Sequence, residues 1–376
     1  MRFLQADYLF PLHSPPIKKG VLQVDKFGFI IGLYTPDQLP NIKIEYFPGI
    51  ICPGFINSHC HLELSHMHNY IAKDTGLINF IKKIKERNSF SSSEIQDAIR
   101  KSENQMIKNG IVGVGDICNT LDTLKLKSKS KLRYYNFIEV FEVFKNKVDF
   151  TLSQAIKIRD TFKSYDLSAN ITPHSTYSVL PELMKKIYSI QEGVNSVLSI
   201  HNQETKEENQ LFKFKKGGLF RWLSSINASK DIWENYSCSK EKIEKTDTIR
   251  HLLVHNTFSV KNDLMDVYYC TCPKANLYIE NKLPNYSIFN IEKLCIGTDS
   301  LASNDSLSIL EELLVVQNNS DFDLNSLLKI ACRNGAECLG FENLGTFKIG
   351  KNPGVNLITN IDKMKITSKS FIKVIA

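Results

Sequence analysis

The sequence predicts an α/β protein: a (β/α)8 TIM barrel carrying a small composite β domain made from the N- and C-terminal segments. Three observations predict it. The 376 residues suffice for one barrel of about 250 to 300 residues plus a small accessory domain. From about Gly49 onward, short apolar runs ending in polar residues alternate with longer helical stretches, which is the signature of parallel βαβ units. Both chain ends instead carry strand and turn signals.

The N-terminal strands are expected at Phe3–Phe10, Gly20–Val24, Gly28–Leu33 and Ile42–Phe47, with Pro11, Pro15, Pro16 and Pro40 marking breaks. Barrel strands are expected at Ile50–Ser58, Ile111–Asp116, Leu132–Val143, Leu167–Thr172, Ser196–His201, His251–His255, Val267–Cys272 and Leu294–Asp299. Intervening helices include Ser92–Asn109, Pro181–Gly193 and Ser306–Gln317. Ser92 and Asp305 or Ser306 suit helix starts, where polar caps satisfy the first free amides. After a helix at Ser326–Leu339, the Gly/Pro-rich stretch Lys348–Gly354 leads into strand-like runs at Val355–Thr359 and Phe371–Ile375. The expected division is 1–49 and 350–376 in the small β domain and 50–349 in the barrel.

Composition excludes several function classes. An apolar share of 42% and a charged share of 23% are those of a globular chain, not a disordered one. No apolar run reaches the roughly 20 residues of a membrane span, and Asp7 interrupts the N-terminal stretch before any signal core forms. The formal charge of +7 invites a nucleic-acid reading. The lysines, however, are interleaved with other residues, as at Lys125, Lys127, Lys129 and Lys131, and read as solvated faces. The nine cysteines are odd in number and form no Cys-x-x-Cys, so they read as reduced residues of a cytoplasmic protein. The partner expected is a small-molecule substrate, with no nucleic acid and no membrane, in a chain that can pair as a homodimer.

The chemistry sits at the ends of the predicted strands. In Asn57-Ser-His-Cys-His61, two histidines separated by one residue share a face of an extended chain, so His59 and His61 point into one space. His201 ends a second apolar run, with Glu204 one turn further on, and His255 ends a third. Cys295-Ile-Gly-Thr-Asp299 ends another in a carboxylate. Taken singly, each motif has a plain structural reading: a surface pair, a hydrogen-bonded core histidine, a helix cap. Together they place several imidazoles and a carboxylate at the C-terminal mouth of a barrel, where barrel active sites form. Imidazole and carboxylate suit one divalent metal ion, Zn2+ first, with Fe2+ also compatible.

The order His-x-His, His, His, Asp resembles the amidohydrolase superfamily, and within it the mononuclear branch of adenosine-, cytosine- and guanine-type deaminases. The resemblance runs from Pro53 to about Gly354. It implies that His59, His61, His201 and Asp299 hold the metal, that His255 holds the attacking water, and that Glu204 shuttles protons. Asp299 then also serves in catalysis as the acceptor of the water proton. The fourth predicted strand leads to Ile171-Thr-Pro-His174, without the lysine or glutamate that bridges two metals in binuclear relatives, so one metal is implied. Thr172–Ser178, the segment Cys272-Pro-x-x-Asn276 and Gly297–Asn304 are similar to deaminases of 5′-modified adenosines. That group acts on methylthioadenosine and S-adenosylhomocysteine, or on aminodeoxyfutalosine in menaquinone biosynthesis. It implies that His174 touches substrate.

Two departures stand out. Lys274 and Ala275 replace the Arg-Ser expected before Asn276, and Thr75–Ile81 offers no carboxylate for a ribose. Glu63 is a substitute partner or a plain loop carboxylate, while His13, His66, His68 and His251 read as structural or exposed. The functional reading is a metal-dependent hydrolytic deaminase of an adenine-containing 5′-modified nucleoside, aminodeoxyfutalosine slightly preferred. Its rivals are hydrolysis of another amide, cyclic amidine or chlorinated heterocycle at the same site, and a non-catalytic metal-binding barrel. The His-x-Glu with Pro-Cys-x-x-Cys of polynucleotide deaminases is absent.

Overall fold

The computed structural model describes residues 1–39, 41–191 and 196–376. The predicted break at Pro40 and the end of the predicted helix Pro181–Gly193 lie outside them. Eight parallel strands form the barrel: Phe55–Cys60, Ile111–Cys118, Arg133–Val140, Ser168–Pro173, Ser196–Asn202, Ile249–His255, Tyr268–Thr271 and Leu294–Ile296. They are hydrogen-bonded as two four-stranded parallel sheets. Single bridges join the two halves at both seams, Cys60 with Asp299 and Ser175 with His201.

The barrel strands are buried on both faces, since helices cover one and the barrel interior the other; Phe55–Cys60 and Ser196–Asn202 are buried throughout. Gly297 shows why the seam beside the first strand needs a residue without a side chain. A Cβ there would lie 2.6 Å from the His59 carbonyl oxygen and 2.8 Å from the His59 amide nitrogen. Because glycine occupies the position, the amides of Thr298 and Asp299 both reach the His59 carbonyl, each at 3.1 Å. This contact sets Asp299 beside the first strand.

A second sheet joins the chain ends. Strand Val355–Thr359 pairs antiparallel with Glu45–Pro53, which pairs parallel with Arg2–Leu9, and Phe371–Val374 adds at the edge. Leu4, Leu9, Leu22, Ile51, Val355 and Leu357 form its buried face, each Leu or Val contributing about 1.5–3 kcal/mol on burial.

The structure corrects several boundaries. The stretch expected as one barrel strand at Ile50–Ser58 is two elements, because its first residues complete Glu45–Pro53 in the small sheet and the barrel strand begins only at Phe55. The chain turns between them at Gly54, where a Cβ would strike Val112 at 2.4 Å. The third strand ends at Val140, not Val143. Ser91, not Ser92, caps the helix Ser92–Lys108, in a reciprocal capping box with Glu94. The helix expected from Ser306 begins at Ile309 with Ser308 as cap, because Ser300–Asn304 first loops across the barrel mouth. The run Ser326–Leu339 lies within a longer helical stretch, Leu324–Leu339, with a π-helical turn at Lys329–Arg333. Lys127, expected on a solvated face, is fully buried. All nine cysteines are free, and no helix among the described residues is long and apolar enough to cross a membrane.

Candidate metal centre and active site

Each predicted site residue stands at the C-terminal mouth of the barrel. His59 and His61 come from the end of the first strand; their Nε2 atoms lie 3.1 Å apart. Asp299 Oδ1, delivered by the seam at Gly297, is 3.3 Å from His61 Nε2 and 3.6 Å from His59 Nε2. The His201 ring stands 4.9 Å from that of His59 and 5.4 Å from that of His61 between centroids. His201 Nδ1 is 2.9 Å from the His174 carbonyl oxygen, to which it donates, so Nε2 is left with its lone pair toward the other ligands. Four atoms bound near 2.0–2.1 Å to a tetrahedral ion would sit about 3.3 Å from one another. The contacts among His59, His61 and Asp299 bracket that spacing.

The protonation states fit a cation as well. Burial, resisted by the nearby Asp299 carboxylate, drives His61 down to about 3. Burial also holds His201 well below the ordinary imidazole range, with His174 and the other rings adding to the effect. For Asp299, burial works upward, but the hydrogen bond with His59 and the fields of His61 and His255 prevail and keep the carboxyl below its usual range. Burial thus favours the neutral form of His61 and His201 beside the Asp299 carboxylate, the forms that bind a divalent first-row metal. Ser303 Oγ donates to Asp299 Oδ2 at 2.5 Å, which turns Oδ1 toward the histidines.

His255 and Glu204 complete the mouth. His255 Nδ1 lies 2.8 Å from Asn276 Oδ1, and its Nε2 is 3.7 Å from Glu204 Oε1. Donation from Nδ1 to Asn276 leaves Nε2 as an acceptor facing the site. Both His255 and Asp299 have left-handed backbones, φ 71° and 57°, an uncommon conformation for residues with side chains. Such outliers mark functional sites because the surrounding structure must hold them. The Glu204 carboxyl is fully buried, and burial, reinforced by Asp299, pushes it well above the ordinary value, toward the protonated form. His174 packs its ring 4.7 Å from that of His201 and bonds Ser178 Oγ at 2.7 Å; burial lowers it to about 4.

These residues floor a cavity of about 590 Å³. Its outer wall is apolar, with Leu77, Phe80, Ile81, Phe144, Trp222 and Ile226. Among residues considered as alternatives, Glu63 pairs with Arg87 and accepts from the amides of Asn119 and Thr120, so it clamps two loops. His66 leans on Phe90, His68 is exposed, His13 lies at the surface and His251 is buried against Tyr188.

Sequence reasoning passed over Glu139, which lines the cavity with Oε1 3.4 Å from His201 Nδ1. Burial raises its carboxyl to about 7. Its signal was present: a carboxylate at the end of the apolar run Phe137-Ile-Glu139, hidden when the strand was extended to Val143. Ser303 and the contact of Asn276 with His255 carried no one-dimensional signal.

The model of the amidohydrolase family matches residues 50–373, and the chain belongs to that family and to the hydrolases acting on carbon–nitrogen bonds. It is 25% identical over 332 residues to a protein named adenosine deaminase from Helicobacter pylori, covering 81% of this chain and 78% of that one. It is 23% identical to aminodeoxyfutalosine deaminase of Nitratiruptor, covering 85% and 82% of the two chains. The crystal structure of Helicobacter pylori aminofutalosine deaminase in complex with methylthio-coformycin superposes with a TM-score of 0.76 at 21% identity, over 97% of this chain and 94% of that one.

Proposed function

We propose that the protein is a metal-dependent hydrolytic deaminase of an adenine-containing 5′-modified nucleoside. Aminodeoxyfutalosine is the preferred substrate, with methylthioadenosine and S-adenosylhomocysteine next. The observation that carries this reading is the pair of clusters that share His59, one with His61 and His201 and one with His255 and Asp299, with Glu204 beside His255 and the cavity opening above. The names of the relatives support an adenosine-type substrate.

His59, His61, His201 and Asp299 hold the ion, Zn2+ suiting three imidazoles and a carboxylate best. An ion held there would supply a lowered water pKa, near neutrality. His255 Nε2 would orient the attacking water and Asp299 would take its proton. Glu204 gives its proton to the ring nitrogen beside the attacked carbon, which neutralises the charge that builds there. Asp299 would pass the water proton to the departing amine as the C–N bond breaks, and Glu204, now a carboxylate, would take the proton of the new hydroxyl, so the amino-purine becomes an oxo-purine plus ammonia. His174 borders the substrate from the fourth strand. In this reading residues 50–349 are the catalytic barrel and 1–49 with 350–376 the small β domain. Nine unpaired cysteines support a cytoplasmic location.

The test is hydrolysis by metal-loaded protein, read as ammonia release from aminodeoxyfutalosine, methylthioadenosine, S-adenosylhomocysteine and adenosine, as chloride release from a chlorinated triazine, and as ring opening of a cyclic amide. Turnover of an adenosine derivative is expected. Turnover only of the triazine or the amide would replace deamination with the alternative chemistry of the family.

A further inference from the structure

We propose that Glu139 grips the sugar of the substrate, its free carboxylate oxygen accepting hydrogen bonds from the cis-diol of a ribose. The inference rests on the reading of the site as a nucleoside deaminase. Glu139 stands one residue from the end of the third barrel strand, its side chain 5% exposed, and lines the cavity beside His61, His174 and His201. Its two oxygens have different surroundings. Oε2 accepts from Asn119 Nδ2 at 3.3 Å, and the same amide group bonds the Glu139 carbonyl at 3.2 Å, which fixes the carboxylate plane. Oε1 is buried without a hydrogen-bond partner. The nearest donor, His201 Nδ1 at 3.4 Å, is committed to the His174 carbonyl at 2.9 Å.

A buried carboxylate oxygen with no donor is costly, so a ligand that brings hydroxyl hydrogens gains what the free protein lacks. The other carboxylates around the cavity have different surroundings. Glu142 accepts from the amides of Val143 and Phe144 with one oxygen and from Thr151 with the other. Asp299 belongs to the metal group and Glu204 faces His255. Glu63 is turned to Arg87 and the loop amides. Glu139 thus lines the cavity with an acceptor oxygen that the described residues leave without a donor.

The experiment compares kcat/KM for adenosine and 2′,3′-dideoxyadenosine in metal-loaded wild type, Glu139→Leu and Glu139→Gln, with metal content measured in each. Two hydrogen bonds to the ribose hydroxyls predict that wild type prefers adenosine by about 10- to 100-fold. Glu139→Leu loses that preference, its kcat/KM falling more on adenosine than on the dideoxy nucleoside while metal is retained. Glu139→Gln, which keeps the shape should the leucine variant misfold, loses part of the preference. A Leu or Gln variant that discriminates as wild type does would overturn the assignment. Parallel loss on both nucleosides together with metal would also overturn it, since Glu139 would then only be steadying His201. Wild type that releases ammonia from no adenosine derivative would instead remove the nucleoside reading itself.

Discussion

His255 Nδ1 lies 2.8 Å from the Oδ1 of Asn276, and both side chains are buried. The amide comes from the first turn of the helix Pro273–Glu280 after the seventh strand, and it fixes which ring nitrogen of His255 faces the metal group. Asn276→Leu keeps the volume and removes the acceptor. We expect kcat/KM to fall about 10- to 100-fold, as for other outer partners of metal-site histidines, with metal content unchanged. An unaltered kcat/KM would mean that the ring is held by packing alone.

Glu204→Gln removes the transferable proton while preserving shape. Turnover should drop about 100-fold or more, the usual worth of a positioned acid–base group, while the ion is retained. Steady-state kinetics with metal analysis on the same sample checks both halves. Normal turnover in the variant would take Glu204 out of the mechanism.

The lysine-rich run at 125–131 hides a buried ion pair. Lys127 Nζ contacts Asp116 Oδ2, and is 2.7 Å from Asn136 Oδ1 and 3.1 Å from Cys118 Sγ. Asp116 Oδ1 in turn accepts from the amide of Leu62, the residue after His61. Lys127→Met strands a buried carboxylate and should cost about 3–5 kcal/mol in unfolding free energy. The double variant Lys127→Met/Asp116→Asn should recover most of that loss in urea titrations. Additive losses would show that the pair is not coupled.

Glu312 is wholly buried and anchored by the Lys274 amide and Asn304 Nδ2. Burial pushes its carboxyl up to about 8 from an ordinary 4.5. The folded chain therefore keeps a proton that the unfolded chain releases, and stability falls as pH rises between those two values. Glu312→Gln cannot lose that proton. Its melting temperature relative to wild type should climb from about pH 5 to about pH 8 and then level. A difference independent of pH would contradict this.

The site was legible in the sequence where a polar ligand ends an apolar strand: His59, His61, His201, His255 and Asp299 each do so. The composite sheet was legible because both termini read as strands. The contacts that depend on two remote segments meeting were not legible. Gly297 against His59 and Asn276 on His255 are set by barrel closure and leave no local pattern. Lys127 was misread because charge spacing alone does not distinguish a solvated lysine from one folded inward onto Asp116. Glu139 was missed because β-branched and aromatic residues continue past the true end of the third strand, where Glu142 turns the backbone by accepting from the next two amides.

One divalent ion held by His59, His61, His201 and Asp299 should enable deamination of an adenine nucleoside. Zn2+ is returned in steps to chelator-stripped protein while adenine-to-hypoxanthine conversion and bound metal are followed together. No activity is expected in the stripped protein, and a linear rise should break at one ion per chain. Full activity without metal, or a rise that continues to a second ion, would contradict it.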